Sequence, residues 1–279
     1  MTLMLLVVVC YTICSLSDKY AVAKLKMEGN EFTFLMAAPT SVLLLFMLPF
    51  SDTYFIVCWQ SVLAVVLLAV SKLLEFKLAT LILKEMSAFE LKAWLGLTLF
   101  ISYATDIFIG TSSFNAFKIL AIIITAIGLF MIAKSENQHI NYKRIVVPLL
   151  FYLLAKYGYG MIITASKEYI SSYLALLFGL ILLALMLIPF AKPVTLFKTK
   201  FKGSIFVALT KIPNAIGLVL ENMVIATSMT NYAFIQPMIM VTLFFIGIIR
   251  KESTKVLNIA GGIICILGIL GFQLADIML

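Results

Sequence analysis

Apolar and polar positions along this chain fall into long blocks rather than into short alternations. Windows of about 20 apolar residues, the length that spans a bilayer as a helix, stop at charged or turn-rich breaks. They give ten candidate transmembrane helices, at 3–22, 32–50, 61–83, 91–109, 117–133, 145–166, 170–190, 204–227, 229–249 and 254–276. The third has the least definite limits, because apolar sequence begins near Tyr54 and continues to Leu83. Its opening YFIVCWQ reads as interfacial or as the first turns of a tilted helix. The first residues, MTLMLLVVVC, offer neither a basic n-region nor a small-residue cleavage site. They predict a retained first helix and not a signal peptide.

Composition agrees with this pattern. The chain is 63% apolar and 12% charged, against about 45–50% and about 25% in soluble domains. An all-α, multi-pass membrane protein is expected, with the lipid bilayer as partner. The net charge of +8 does not indicate nucleic acid, because the basic residues cluster between spans. Connections after odd-numbered spans carry fifteen of them, and those after even-numbered spans carry only Lys118 and Lys167. The positive-inside rule then puts the odd connections in the cytoplasm and both termini outside. Cys10, Cys14, Cys58 and Cys265 form no closely spaced set with His139, so neither a zinc site nor any other metal or cofactor is expected. Cys10 and Cys14, four apart, read as packing residues on one helix face.

The two halves resemble each other. FMLPF at 46–50 and MLIPF at 186–190 close the second and seventh spans, and MSAFELKAWLGLTLF from Met86 corresponds to MTNYAFIQPMIMVTL from Met229. With five spans in each half, at 1–134 and 145–279, the second half must be inserted upside down relative to the first. Inverted repeats of this kind are a recurring plan of secondary transporters.

On these features the chain resembles the drug/metabolite transporter superfamily, specifically its ten-helix EamA-like members. The residues that carry the resemblance are Pro237 in NYAFIQPMIM, then Lys251, Glu252 and Ser253, then Gly261, Gly262 and Gly268 in AGGIICILGI, echoed by Gly128 in ITAIGLF. The chain departs from the family where its first helix reads CYTICSLSDKY and where Trp94 stands opposite Pro237. The resemblance implies two inverted five-helix repeats, a bacterial or archaeal inner membrane, and export as the commoner direction. It also implies that the fifth and tenth helices stand against each other away from the cavity.

Polar side chains inside spans are expensive facing lipid and should turn into the bundle. Tyr11, Ser15 and Asp18 share a face of the first helix; they line a cavity, or Asp18 marks the helix end. Lys72 and Glu75, three apart in SKLLEFK, form an ion pair or reach the cytoplasmic interface. Lys156 sits at the middle of the uncharged run 145–166, bracketed by Lys143, Arg144, Lys167 and Glu168. With Tyr152, Tyr157, Tyr159 and Gly160 around it, it either faces a translocation cavity or pairs with an acid on another helix. Lys211, Asn214 and Glu221 follow one face of the eighth span, loosened by Pro213. Glu221 is a proton-coupling site or a permanent partner of Lys156 or Lys211. Gln236 and Pro237 read more as packing and bending elements than as contacts, Gln236 remaining a candidate contact. Asp106 reads as an interfacial acid.

The function expected is secondary active transport of a small polar metabolite, an amino-acid-like zwitterion, by alternating access around a midplane cavity, coupled to a proton or sodium ion. The candidate contacts are Tyr11, Ser15, Lys156, Tyr159, Lys211, Asn214 and Gln236, with Asp18, Glu75 and Glu221 as coupling or charge partners. Uptake of a small organic nutrient or a cation such as a quaternary amine is the second expectation. No GxxxxGK[ST] stretch occurs, so ATP is not expected to drive the cycle directly. A membrane-embedded enzyme is not expected either, because one histidine and scattered serines supply no base beside a nucleophile.

Overall fold

A computed structural model describes residues 2–24, 27, 29–51, 53–82, 85, 91, 94–134, 142–249 and 256–275. They form α1 (Thr2–Lys24), α2 (Gly29–Met47, continued by a 3₁₀ turn Leu48–Phe50), α3 (Trp59–Ile82) and α4 (Thr98–Ile109). There follow α5 (Ala116–Lys134), α6 (Tyr142–Ser166), α7 (Ser172–Ala191) and the short α8 (Pro193–Thr199). The chain closes with α9 (Phe201–Leu209), α10 (Lys211–Thr227), α11 (Met229–Ile249) and α12 (Val256–Ala275).

The ten-span expectation is corrected. Among the described residues five helical stretches are long and apolar enough to cross a membrane: Gly29–Phe50, Arg144–Ser166, Ser172–Ala191, Phe201–Thr227 and Met229–Ile246. The other apolar helical stretches, Thr2–Ser17, Thr98–Ile109, Ala116–Ile132 and Ile259–Ala275, are shorter. The 12 residues of α4 rise only about 18 Å at about 1.5 Å each, against a hydrocarbon core of about 30 Å. Helix α3 has the length but carries Lys72, Glu75 and Lys77. The chain is a multi-pass helical membrane protein, and the ten-helix inverted-repeat plan, which required ten crossings, is not its architecture.

Local structure departs from expectation at two further points. Residues 53–57 are not helical; Ile56 donates its N–H to the Tyr169 carbonyl (2.8 Å) and Ser171 to that of Tyr54 (3.0 Å), so this stretch pairs with the α6–α7 turn. The expected eighth helix is broken at Thr210 into α9 and α10. Pro213 explains the break, because it has no N–H for the Leu209 carbonyl and its ring crowds that carbonyl. The Cys14 thiol on α1 approaches the Thr210 carbonyl at 3.6 Å.

Early helices pack against late ones. The most extensive interfaces are α5 with α12, α3 with α6, α1 with α10, and α2 with α7, each joining an early helix to a late one. The α5–α12 interface depends on missing side chains. A Cβ on Gly128 would lie 2.5 Å from the Cys265 nitrogen, and one on Gly268 would lie 2.6 Å from the Thr125 nitrogen. The two backbones are in contact there, a close approach that only small residues permit.

Candidate functional site: a four-charge cluster inside the bundle

Helices α3, α6 and α10 meet around four buried ionisable side chains. Lys72 is 2% exposed, Glu75 8%, Lys156 7% and Glu221 0%. The Lys72 ammonium lies 2.8 Å from Glu75 Oε2, and the Lys156 ammonium lies 2.9 Å from Glu75 Oε1 and 3.5 Å from Glu221 Oε1. Two cations and two anions cancel, which is what allows four charges to be removed from water together.

Tyrosines from three helices surround this cluster. Tyr11 on α1 donates to Glu221 Oε2 at 2.6 Å. Tyr159, fully buried on α6, donates to Asn222 Oδ1 at 2.6 Å and has the Lys72 ammonium 3.8 Å from its ring centre. Tyr232 on α11 donates to the Lys156 carbonyl at 3.0 Å, with the Lys156 ammonium 5.7 Å from its ring. Asn222 in turn donates to the Ser172 carbonyl at 3.1 Å. Every hydroxyl of this set has an acceptor, which fixes the rings, and the faces of Tyr159 and Tyr232 are turned to the ammonium groups. An arrangement of this kind binds charge of either sign and offers aromatic faces to a cation.

The expected site residues divide between this cluster and other places. Tyr11, Glu75, Lys156, Tyr159 and Glu221 come together. Ser15 is half-buried on α1, and the side chain of Asp18 lies outside the described residues. Lys211 is fully buried with its ammonium 5.7 Å from the Phe32 ring. It begins α10 and stands about 15 Å along the axis from Glu221 at about 1.5 Å per residue. Asn214 donates to Thr40 Oγ1 at 3.4 Å, and Gln236 is buried one turn beyond Tyr232. The nearer acid to Lys156 is Glu75 and not the expected one on α10. Lys72, Asn222 and Tyr232 were absent from the expected site. The spacing of Lys72 to Glu75 was a usable signal, whereas nothing local marks Tyr232.

A second buried polar node stands apart. Asp106 on α4, 2% exposed, accepts the N–H groups of Met229 (2.9 Å) and Thr230 (2.8 Å) and the hydroxyls of Ser228 (2.7 Å), Thr230 (2.6 Å) and Thr111 (3.0 Å). It caps the start of α11 from another helix. Among the described residues no three His, Cys, Asp or Glu side chains converge to hold a metal ion.

The chain matches no known family model and no curated protein. The five candidate spans in place of ten overturn the resemblance to the drug/metabolite transporters and the EamA-like repeat.

Proposed function

We propose that this membrane protein is a secondary carrier for a small polar solute, with the Lys72–Glu75–Lys156–Glu221 cluster as the place where the solute exchanges charge with the protein. The supporting observation is the cluster itself. Replacing buried ion pairs by apolar residues is often neutral or stabilising, so packing alone does not call for four charges in a bundle this apolar. Intramembrane ionisable residues ordinarily mark a solute or ion path. Equal numbers of lysines and glutamates suit a zwitterion, which brings one charge of each sign and leaves the total at zero. A proton or sodium ion is the coupling partner this reading allows.

A second reading, an organic cation, draws on the position of Lys72. The Tyr159 face already hosts an ammonium group at 3.8 Å, and a quaternary amine would compete for such a face.

Solute counterflow in proteoliposomes tests the proposal. Protein-filled vesicles preloaded with unlabelled amino acids should accumulate labelled amino acid transiently, and Lys156→Met vesicles should not. Absence of counterflow with amino acids, amines and carboxylates alike would refute it.

A further inference from the structure

The two glutamates of the cluster are not equivalent. Both oxygens of Glu75 are held by ammonium groups, at 2.8 and 2.9 Å. Glu221 accepts a neutral phenol on Oε2 at 2.6 Å, and on Oε1 has an ammonium only at 3.5 Å. That distance is beyond the usual range for N–H···O contacts. Yet Glu221 is the more enclosed of the two, at 0% exposure against 8%. A carboxylate so completely removed from water needs close positive charge or several donors, and among the described residues Glu221 has one neutral donor and one ammonium group at 3.5 Å. Lys156, meanwhile, already has its close partner in Glu75.

We propose, building on the carrier reading above, that Glu221 is the docking point for the ammonium group of an α-amino acid. The solute enters at the one long contact of the cluster. Its ammonium takes Glu221 Oε1, and its carboxylate takes the side of Lys156 that faces Glu221. An α-amino acid carries both charged groups as substituents of one carbon and so reaches these two side chains together. Lys156 keeps Glu75, and Lys72 keeps Glu75, so the remaining pairs stay intact. The tyrosines favour an organic ammonium over a metal ion. Tyr11 occupies one carboxylate oxygen as a donor, and Tyr232 offers a ring face beside Lys156, whereas a hard cation seeks a shell of oxygens.

The test is a thermal-unfolding titration of the purified full chain with four probes: a mixture of α-amino acids, the corresponding decarboxylated amines, the corresponding deaminated carboxylates, and sodium chloride. A ligand that binds the folded state raises the melting temperature with concentration. The native chain should respond to the amino acids, and Glu221→Gln should raise their half-saturating concentration by about tenfold or more, one lost charge contact. Tyr11→Phe, which keeps the charge, should retain the response. If Glu221→Gln does not fold, Glu221→Asp withdraws the carboxylate by one methylene and should weaken the same response. An amino-acid response unchanged in the Glu221 variant overturns the assignment, as does a native response to sodium or to carboxylates alone. Counterflow separates the two readings. Counterflow of amino acids indifferent to Glu221 leaves the carrier and removes the docking point, and Glu221-dependent binding without counterflow does the reverse.

Discussion

Asp106 accepts the backbone N–H of Thr230 at 2.8 Å, across 124 positions of sequence, and so does for α11 what an N-cap residue does within its own helix. The first turn of any helix has N–H groups without intrahelical partners. Here two of them, with two hydroxyls from the same turn, converge on one carboxylate from α4. The start of α11 also packs on α6: Thr164 contacts the Met229 sulfur at 3.7 Å, and Tyr232, one turn on, reaches the Lys156 carbonyl. Asp106→Asn turns amide hydrogens toward donors and should destabilise the protein by about 1–3 kcal/mol through unpaired buried groups. Asp106→Ala should do at least as much. Both are read as a fall in melting temperature of the purified protein, and unchanged melting in Asp106→Ala would refute the capping role.

Lys156 contacts two acids at different distances, and a double-mutant cycle should report the difference. Lys156→Met, Glu75→Gln and Glu221→Gln each leave buried charge uncompensated and should cost about 3–5 kcal/mol. The coupling of Lys156 with Glu75, at 2.9 Å, should exceed that with Glu221, at 3.5 Å, within a range of about 0.5–3 kcal/mol. Equal couplings would mean that the ammonium is shared evenly.

Two glycines should respond in opposite ways to the same substitution. At Gly128 an added Cβ meets the Cys265 backbone at 2.5 Å, and at Gly158 it meets nothing within 4 Å. Gly128→Ala should lose about 1–3 kcal/mol by overpacking. Gly158→Ala should be neutral or gain up to about 1 kcal/mol of helix propensity. Parallel melting curves decide this, and equal effects would argue against the backbone contact of α5 with α12.

Tyr159→Phe isolates one hydrogen bond. It removes the donor to Asn222 Oδ1 but keeps the ring beneath Lys72. A loss of about 1–3 kcal/mol is expected for an acceptor left unpaired in the interior. Tyr159→Leu, which also removes the ring face, should lose more. If the two variants melt together, the ring contributes nothing to holding Lys72.

What could be read from the chain beforehand depended on whether a constraint was local. The depth of Lys156 was legible because charges bracket its run on both sides, and a partner on α10 followed from that depth. Glu75 was left open because its position turned on where the third helix begins. That point is fixed by the pairing of Tyr54 and Ile56 with Tyr169 and Ser171, over a hundred residues away. Pro213 signalled a loosened helix, and the break came at Thr210. The capping role of Asp106 had no local signal because four of its five hydrogen bonds come from residues 228–230. The span count failed for a different reason. Apolar composition marks a run without saying where a turn interrupts it, and within 91–109 a turn at Gly96 and Leu97 leaves only the 12 residues Thr98–Ile109 in α4.

The order in which the four cluster charges occur along the chain bears on how a ribosome can deliver them to a bilayer. Lys72 emerges first, and Glu75 neutralises it three residues later within the same helix. Lys156 follows and finds Glu75 already made. Glu221 follows in turn and finds Lys156 and Tyr11 already made. The running charge of the nascent cluster goes from one to zero, to one, and to zero again. Counted over these four groups alone, the growing cluster never carries more than a single uncompensated charge, although the finished protein encloses all four.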